Sequence, residues 1–181
     1  LRPNNISVIN RGVDIEYFNQ PFDVSIRDNI LKIHQIDKTK KIILFPARIT
    51  SWKGQLEFID VIKKIDMQNI LVLFAGDTKN ENYTRLVKDK INQDNLADVC
   101  KILENVNQDE MRTLYQIADL SVSFPLRAEG FGRIISESLY SNTPVLAFDY
   151  GGVKNQLENL SDLFKVRPHD YQALQSKIQV L

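Results

Sequence analysis

Two carboxylates, Glu129 and Glu137, bracket the run Gly130-Phe131-Gly132-Arg133, and no other stretch of this sequence is better equipped for chemistry. The run follows an apolar segment, Leu120 to Phe124, that reads as a strand, and opens an amphipathic one that reads as a helix to about Ser141. Glycines at a helix N-terminus leave backbone N–H groups without intrahelical partners, and the helix dipole favours negative charge there. Such a place suits a phosphate. Carboxylates in turn accept paired, charge-assisted hydrogen bonds from vicinal hydroxyls. Eight positions separate Glu129 from Glu137, so helical rise puts them at most about 12 Å apart on neighbouring faces. One acid would hold a group at the helix mouth and the other a group one or two turns away. A phosphate between two hydroxyl-bearing groups has the outline of a nucleotide sugar.

The elements that must position these residues follow from hydrophobic patterning. Ile42 to Phe45, Ile70 to Ala75, Val99 to Leu103, Leu120 to Phe124, Val145 to Phe148 and Leu163 to Val166 are short apolar runs, as expected of strands buried on both faces of a parallel sheet. Helical patterns lie between them. Met111, Leu114, Tyr115 and Ala118 recur at helical spacing, and Asn107 with Glu110 forms a capping pair before them. Thr143-Pro144 stops the helix after Gly132. Residues 23–40 are polar, with a helix suggested by Ile26, Ile30, Leu31 and Ile33. Alternating strands and helices imply a doubly wound, Rossmann-like α/β domain with a parallel sheet of about six strands. Residues 1–40 read as a lead-in segment and 41–181 as the nucleotide-binding domain proper.

Ligands bind such sheets outside the carboxyl ends of the strands. Arg48 follows the first strand, Lys53 enters the first helix of the sheet, and Arg127 follows the fourth strand. Arg133 stands in the first turn of a helix, where the dipole disfavours a cation by roughly 0.3–1 kcal/mol. A bound anion, or pairing with Glu129 or Glu137, would relieve it. Cations distant in sequence thus converge on one rim, as a phosphorylated ligand requires. Gly151-Gly152 after the fifth strand is either a turn needing positive φ or a place for backbone to approach phosphates, and we take the second. Trp52 reads as a packing or capping aromatic.

Composition bounds the rest. Formal net charge is zero, which gives no nucleic-acid footprint. A single cysteine excludes a disulfide framework. No apolar run reaches membrane-spanning length and no secretory leader opens the chain, so a cytoplasmic location is expected. No Asp-x-Asp motif and no histidine cluster suggests a metal, and His34 and His169 stand alone as surface or loop residues.

The pattern also resembles a known family. Glu129-x7-Glu137 within "RAEGFGRIISESLYSNTPVLAFDYGGV" looks like the signature of the family 4 retaining glycosyltransferases (group 1 glycosyl transferases), which have the GT-B fold. "VINRGVDIEYF", "PARITSWKGQLEFIDVI" and "ENVNQDEMRTLYQIADLSVSFP" are similar to further stretches of that family's C-terminal domain, in the same order. The resemblance implies that Arg48 and Lys53 hold the donor's diphosphate and that the amides of Gly130, Phe131 and Gly132 meet phosphate and sugar. It implies that Glu129 faces the sugar hydroxyls, that Glu137 holds the ribose, and that the strip around Val106 reads the base through its backbone. Arg127, Gly151 and Gly152 would complete the donor site, with no metal or other cofactor.

Glu104 stands where many members have Gly, Asn155 where Gly-Gly leads to Glu, and Leu126 where a small hydroxyl residue is frequent. These departures bear on the base pocket and one phosphate-side contact. The family has two Rossmann-like domains about a cleft, and this sequence matches the second. The expectation is therefore one half of a GT-B fold, the donor-binding half, with its partner an absent N-terminal acceptor-binding domain. Any membrane association, at the inner face, would belong to that domain. A non-catalytic sugar-nucleotide-binding module and a GT-B-like epimerase are the alternatives.

Overall fold

Apolar runs too short for helices assemble the centre of a parallel sheet. The computed structural model describes residues 12–180. Its strands are β1 (Lys41–Pro46), β2 (Ile70–Gly76), β3 (Cys100–Glu104), β4 (Leu120–Ser123), β5 (Val145–Phe148) and β6 (Lys165–Val166). They lie in the order β3-β2-β1-β4-β5-β6, every pair parallel. The chain winds outward from β1 to β3, then returns beside β1 and winds the other way, so β1 and β4 flank the topological switch point. β1 and β2 run in register from Lys41↔Ile70 to Pro46↔Ala75 and are buried along almost their whole length.

The helices are α1 (Ile15–Phe18), α2 (Val24–Ile33), α3 (Gln55–Ile62), α4 (Glu81–Gln93), α5 (Gln108–Ile117), α6 (Arg133–Tyr140), α7 (Gly152–Leu157) and α8 (Tyr171–Ile178). On one face of the sheet, residues of α3, α4 and α8 pack on the odd members of β1, Ile43 and Phe45. Phe45, Phe58, Phe74, Phe124 and Phe148 form a connected aromatic cluster there, with ring centroids 5.1–6.4 Å apart. On the other face α1, α2 and α5 pack on Ile42, Leu44, Leu71 and Leu73, while α6 and α7 cover Val145 and Ala147. The period of two in each strand thus sorts its side chains between two cores. The expected capping pair is a complete capping box: Glu110 N–H donates to Asn107 Oδ1 at 3.0 Å and Asn107 N–H to Glu110 Oε2 at 2.9 Å.

The element boundaries differ from expectation in particular places. Leu163 is not in a strand; it is 69% exposed in a 3-10 turn, Asp162–Phe164, and only Lys165 and Val166 pair with β5. Ser161 starts that turn by accepting the Leu163 N–H, so side-chain capping overrides an apolar look. Residues 24–33 do form a helix, capped by Asp23, but Ile33 points away from the core at 59% exposed. α6 ends at Tyr140, with Asn142 in the left-handed region (φ 59°), before Thr143-Pro144 is reached. A short helix, α1, lies within the lead-in segment, whose residues Val8 to Arg11 fall outside the described part. Among the described residues no helix is long and apolar enough to cross a membrane.

Candidate functional site

An open cavity of about 1060 Å³ lies at the carboxyl ends of the strands, over the switch point. The end of β1 and the turn after it contribute Pro46, Ala47 and Arg48, the end of β2 and the turn after it contribute Gly76 and Asp77, and the loop before α5 contributes Val106 and Asn107. Trp52, Lys53 and the run from Ala128 to Ile134, with Glu137, close the other sides. The opening is backbone-deep: a side chain at Gly76 would strike the Ala47 carbonyl, 2.4 Å from where its Cβ would stand.

At one end, Lys53 Nζ is hydrogen-bonded and ion-paired to Glu129 Oε1, both side chains only 11% exposed. The ammonium also lies 4.4 Å from the centroid of the Trp52 ring, a cation–π arrangement. Local geometry builds this end. Gly54 caps α3 in the left-handed conformation (φ 89°), and any Cβ there would meet the Phe124 carbonyl at 2.3 Å. Leu126 N–H donates to the Trp52 carbonyl at 2.7 Å, tying the Lys53 loop to the chain leaving β4. Gln55, fully buried, donates to the Arg48 carbonyl at 2.9 Å and fixes the turn from which exposed Arg48 projects.

In the middle, α6 starts at Gly132 (φ 74°) with no side-chain cap. The Ile135 N–H turns back to the Gly132 carbonyl at 3.0 Å, and no side chain caps the N–H groups of Arg133 and Ile134, which are left for an acceptor from outside, as an anion site needs. The carbonyls of Phe131 and Gly132 are held from behind by Gln156 Nε2, the latter at 3.1 Å. Gly151 and Gly152 lie against the same loop. Gly152 N–H donates to the Glu129 carbonyl at 2.7 Å, and a Cβ on Gly152 would sit 2.0 Å from the Gly130 carbonyl oxygen.

At the other end, Glu137 on α6 is 16% exposed and accepts a hydrogen bond from the Tyr115 hydroxyl at 3.0 Å. Arg133 approaches the other carboxylate oxygen loosely, with Nε at 3.9 Å and a side chain 63% exposed. Tyr115 is fully buried on α5, and its pKa is raised well above the ordinary 10.0, first by burial and then by the neighbouring Glu137 charge. Phe18 of α1 meets its ring edge-on at 6.2 Å. α1 is clamped to α5 by a 2.6 Å hydrogen bond from Tyr17 to Asp109 and by Arg112, which donates to Gln20 Oε1 at 2.7 Å.

Most residues singled out in the sequence therefore meet in one cavity: Arg48, Lys53, Val106, Glu129, the Gly130-Phe131-Gly132 loop and Glu137. Three do not line it. Arg127 is exposed outside the wall, and Gly151 and Gly152 pack behind the loop, so their glycine requirement comes from close backbone packing. The helical limit on the Glu129–Glu137 distance also lapses, because Glu129 precedes α6 and only Glu137 rides on it. Trp52 both packs and lines the cavity, beyond its expected role. Glu104, a departure from the family pattern, turns outward to Lys88 at 2.6 Å and leaves the cavity clear. Sequence reasoning missed Phe18, Tyr115 as a site residue, and Gln156. The helical spacing of Tyr115 marked it only as core, and Gln156 carried no pattern at all.

Comparison with known proteins agrees with this architecture. Residues 26–181 match the model of the family "Glycosyl transferases group 1". A crystal structure of a glycosyltransferase from Rickettsia africae superposes with a TM-score of 0.88 at 30% identity, covering 98% of this chain and 47% of that one. Anabaena HepE, solved in complex with UDP-glucose, has a similar fold (TM-score 0.82, 23% identity, 96% and 47% covered). The trehalose synthase of Thermococcus litoralis is 28% identical over 134 residues, 70% of this chain and 32% of that protein. The chain spans less than half the length of these relatives. With the fold, the ordered motifs and the family match in agreement, this chain belongs to the group 1 glycosyl transferases and has the fold of one half of a GT-B enzyme.

Proposed function

We propose that this chain is the donor-binding domain of a retaining glycosyltransferase that moves a sugar from a nucleoside diphosphate sugar to an acceptor hydroxyl. One observation carries the reading: two carboxylates stand at opposite ends of one cavity whose middle is an uncapped helix N-terminus. The diphosphate sits on the α6 amides with Arg48 and Lys53 neutralising the leaving group's charge, a role that asks for no divalent metal. The sugar hydroxyls go to Glu129 and the ribose hydroxyls to Glu137. The base lies along Val106, read by backbone. Arg127, Gly151 and Gly152 are given no ligand contact.

Glu129 reaches the sugar only after Lys53 leaves it. The diphosphate supplies the exchange: Lys53 turns to phosphate, and the freed carboxylate accepts sugar hydroxyls. Positioning an acceptor in near-attack geometry needs the second wall of a cleft, so a partner domain provides it and this chain by itself binds donor without transfer.

The UDP-glucose held by the Anabaena neighbour makes uridine the first nucleotide to try. Calorimetric titration with UDP, GDP, ADP and their sugar conjugates tests the reading. Saturable binding of one nucleotide family, unaffected by EDTA and weakened at least about tenfold by both Lys53→Ala and Glu137→Ala, is the expected result. Absence of binding by a folded sample, or affinities indifferent to both substitutions, would sink it.

A further inference from the structure

Glu137 is the only half of its site held by a neutral group. Its Oε2 accepts from the Tyr115 hydroxyl at 3.0 Å, and Tyr115, though part of the cavity wall, has no exposed surface, so the carboxylate stands between the phenol and the open cavity. A glutamate has three side-chain torsions and ordinarily extends into water. Here the alternative partner is Arg133, on the solvent side at 3.9 Å. Tyr115 is what opposes that swing. Its ring is fixed by its place on α5 behind the capping box and by Phe18 edge-on, while Thr143 donates at 2.5 Å to the Tyr115 backbone carbonyl and not to its side chain.

Resting on the donor reading above, we propose that Tyr115 is the positioning residue for nucleoside recognition: it fixes the Glu137 carboxylate so that both ribose hydroxyls can be accepted at once. A carboxylate has about four acceptor sites, of which the phenol uses one. The remaining ones are pointed along the cavity because Oε2 is pinned. Recognition of ribose over a sugar lacking its hydroxyls therefore depends on a side chain that acts through Glu137. The same helix, α5, begins one residue after Asn107 and so follows directly on the Val106 strip, which sets base and ribose recognition on one rigid element.

The test is titration of the 181-residue chain with UDP, GDP and ADP, each beside its 2′,3′-dideoxy counterpart. Wild type, Tyr115→Phe and Thr143→Val are compared. Phe keeps the ring and its packing, and Thr143→Val removes a main-chain contact at position 115 while leaving the ring and its bond to Glu137, so it controls for a local loss of stability. Wild type should prefer the ribose form by about tenfold or more, as loss of charge-assisted hydrogen bonds implies. Tyr115→Phe should reduce that preference to within about threefold, by weakening the ribose form alone, and Thr143→Val should retain the wild-type ratio. A Tyr115→Phe protein that keeps the full ratio, or that loses both forms equally, would overturn the positioning role while leaving the donor reading intact. Wild type that binds both forms alike, or neither, would overturn the donor reading and this inference together.

Discussion

The two ends of the cavity hold the same functional group in opposite ways. Glu129 is paired with a buried ammonium, whereas Glu137 leans on a buried neutral phenol and has only a loose, exposed cation nearby. A charge-paired carboxylate is satisfied before any ligand arrives and must give up its partner to bind one. A carboxylate held by a hydroxyl is oriented yet still short of positive charge and hydrogen-bond donors. One end is therefore suited to an exchange that accompanies binding, and the other is preorganised. On the proposed donor reading, the difference gives an order in which the cavity would fill: the Glu137 end would accept a nucleoside at once, and the Glu129 end would become available when phosphate claims Lys53.

The largest expected effect comes from breaking the paired end. Lys53→Met strands Glu129 nearly buried without its cation, and removing one partner of a buried pair costs about 3–5 kcal/mol. Discounted for the residual 11% exposure of both side chains, a loss of about 3 kcal/mol in urea unfolding is expected. A loss under about 0.5 kcal/mol would mean the pair is effectively solvated. The next effect sharpens the comparison by moving the loop that carries Glu129 without touching Glu137. In Gly152→Ala the new methyl would meet the Gly130 carbonyl at 2.0 Å, a contact that must push the loop aside. Stability should fall by about 1–3 kcal/mol, with sugar-bearing nucleotides losing more affinity than sugar-free ones. The smallest effect belongs to the loose end. Arg133→Ala should change stability by less than about 0.5 kcal/mol, because an exposed pair at 3.9 Å contributes little. A larger loss would show Glu137 to be charge-paired after all and erase the contrast.

The sheet was legible because buried parallel strands have no choice but to be apolar. Every strand core from Ile42–Phe45 to Val145–Phe148 could be read as a run, whereas the switch point between β1 and β4 appears only in the strand order. β6 was half legible, since Leu163 is apolar yet lies in a turn started by a serine cap. The site's charged members were legible too, as Arg48, Lys53 and Glu129 fall after strand ends or just before a helix, and Glu137 rides on the helix that follows. What stayed hidden depends on contacts across the fold. That Lys53 and Glu129 are partners, 76 positions apart, follows from the neighbouring of β1 and β4 and from no local pattern. Tyr115 fitted a helical apolar stripe, and only its hydroxyl's reach to Glu137 separates it from ordinary core. Gly151-Gly152 announced a special backbone, but the loop that leaves no room for a Cβ on Gly152, 2.0 Å from the Gly130 carbonyl oxygen, is a neighbour only the fold supplies.

The exchange at Lys53 is tested most directly by titrating wild type and Glu129→Gln with UDP and UDP-glucose, with the guanosine and adenosine pairs alongside. Removing the carboxylate frees Lys53 for phosphate, so Glu129→Gln should bind the sugar-free diphosphate about three- to tenfold more tightly than wild type does. The same substitution should lose the extra affinity that the sugar confers. Opposite shifts for the two ligands would establish that Lys53 and Glu129 part when the donor binds. Equal weakening of both, or no change in either, would contradict it.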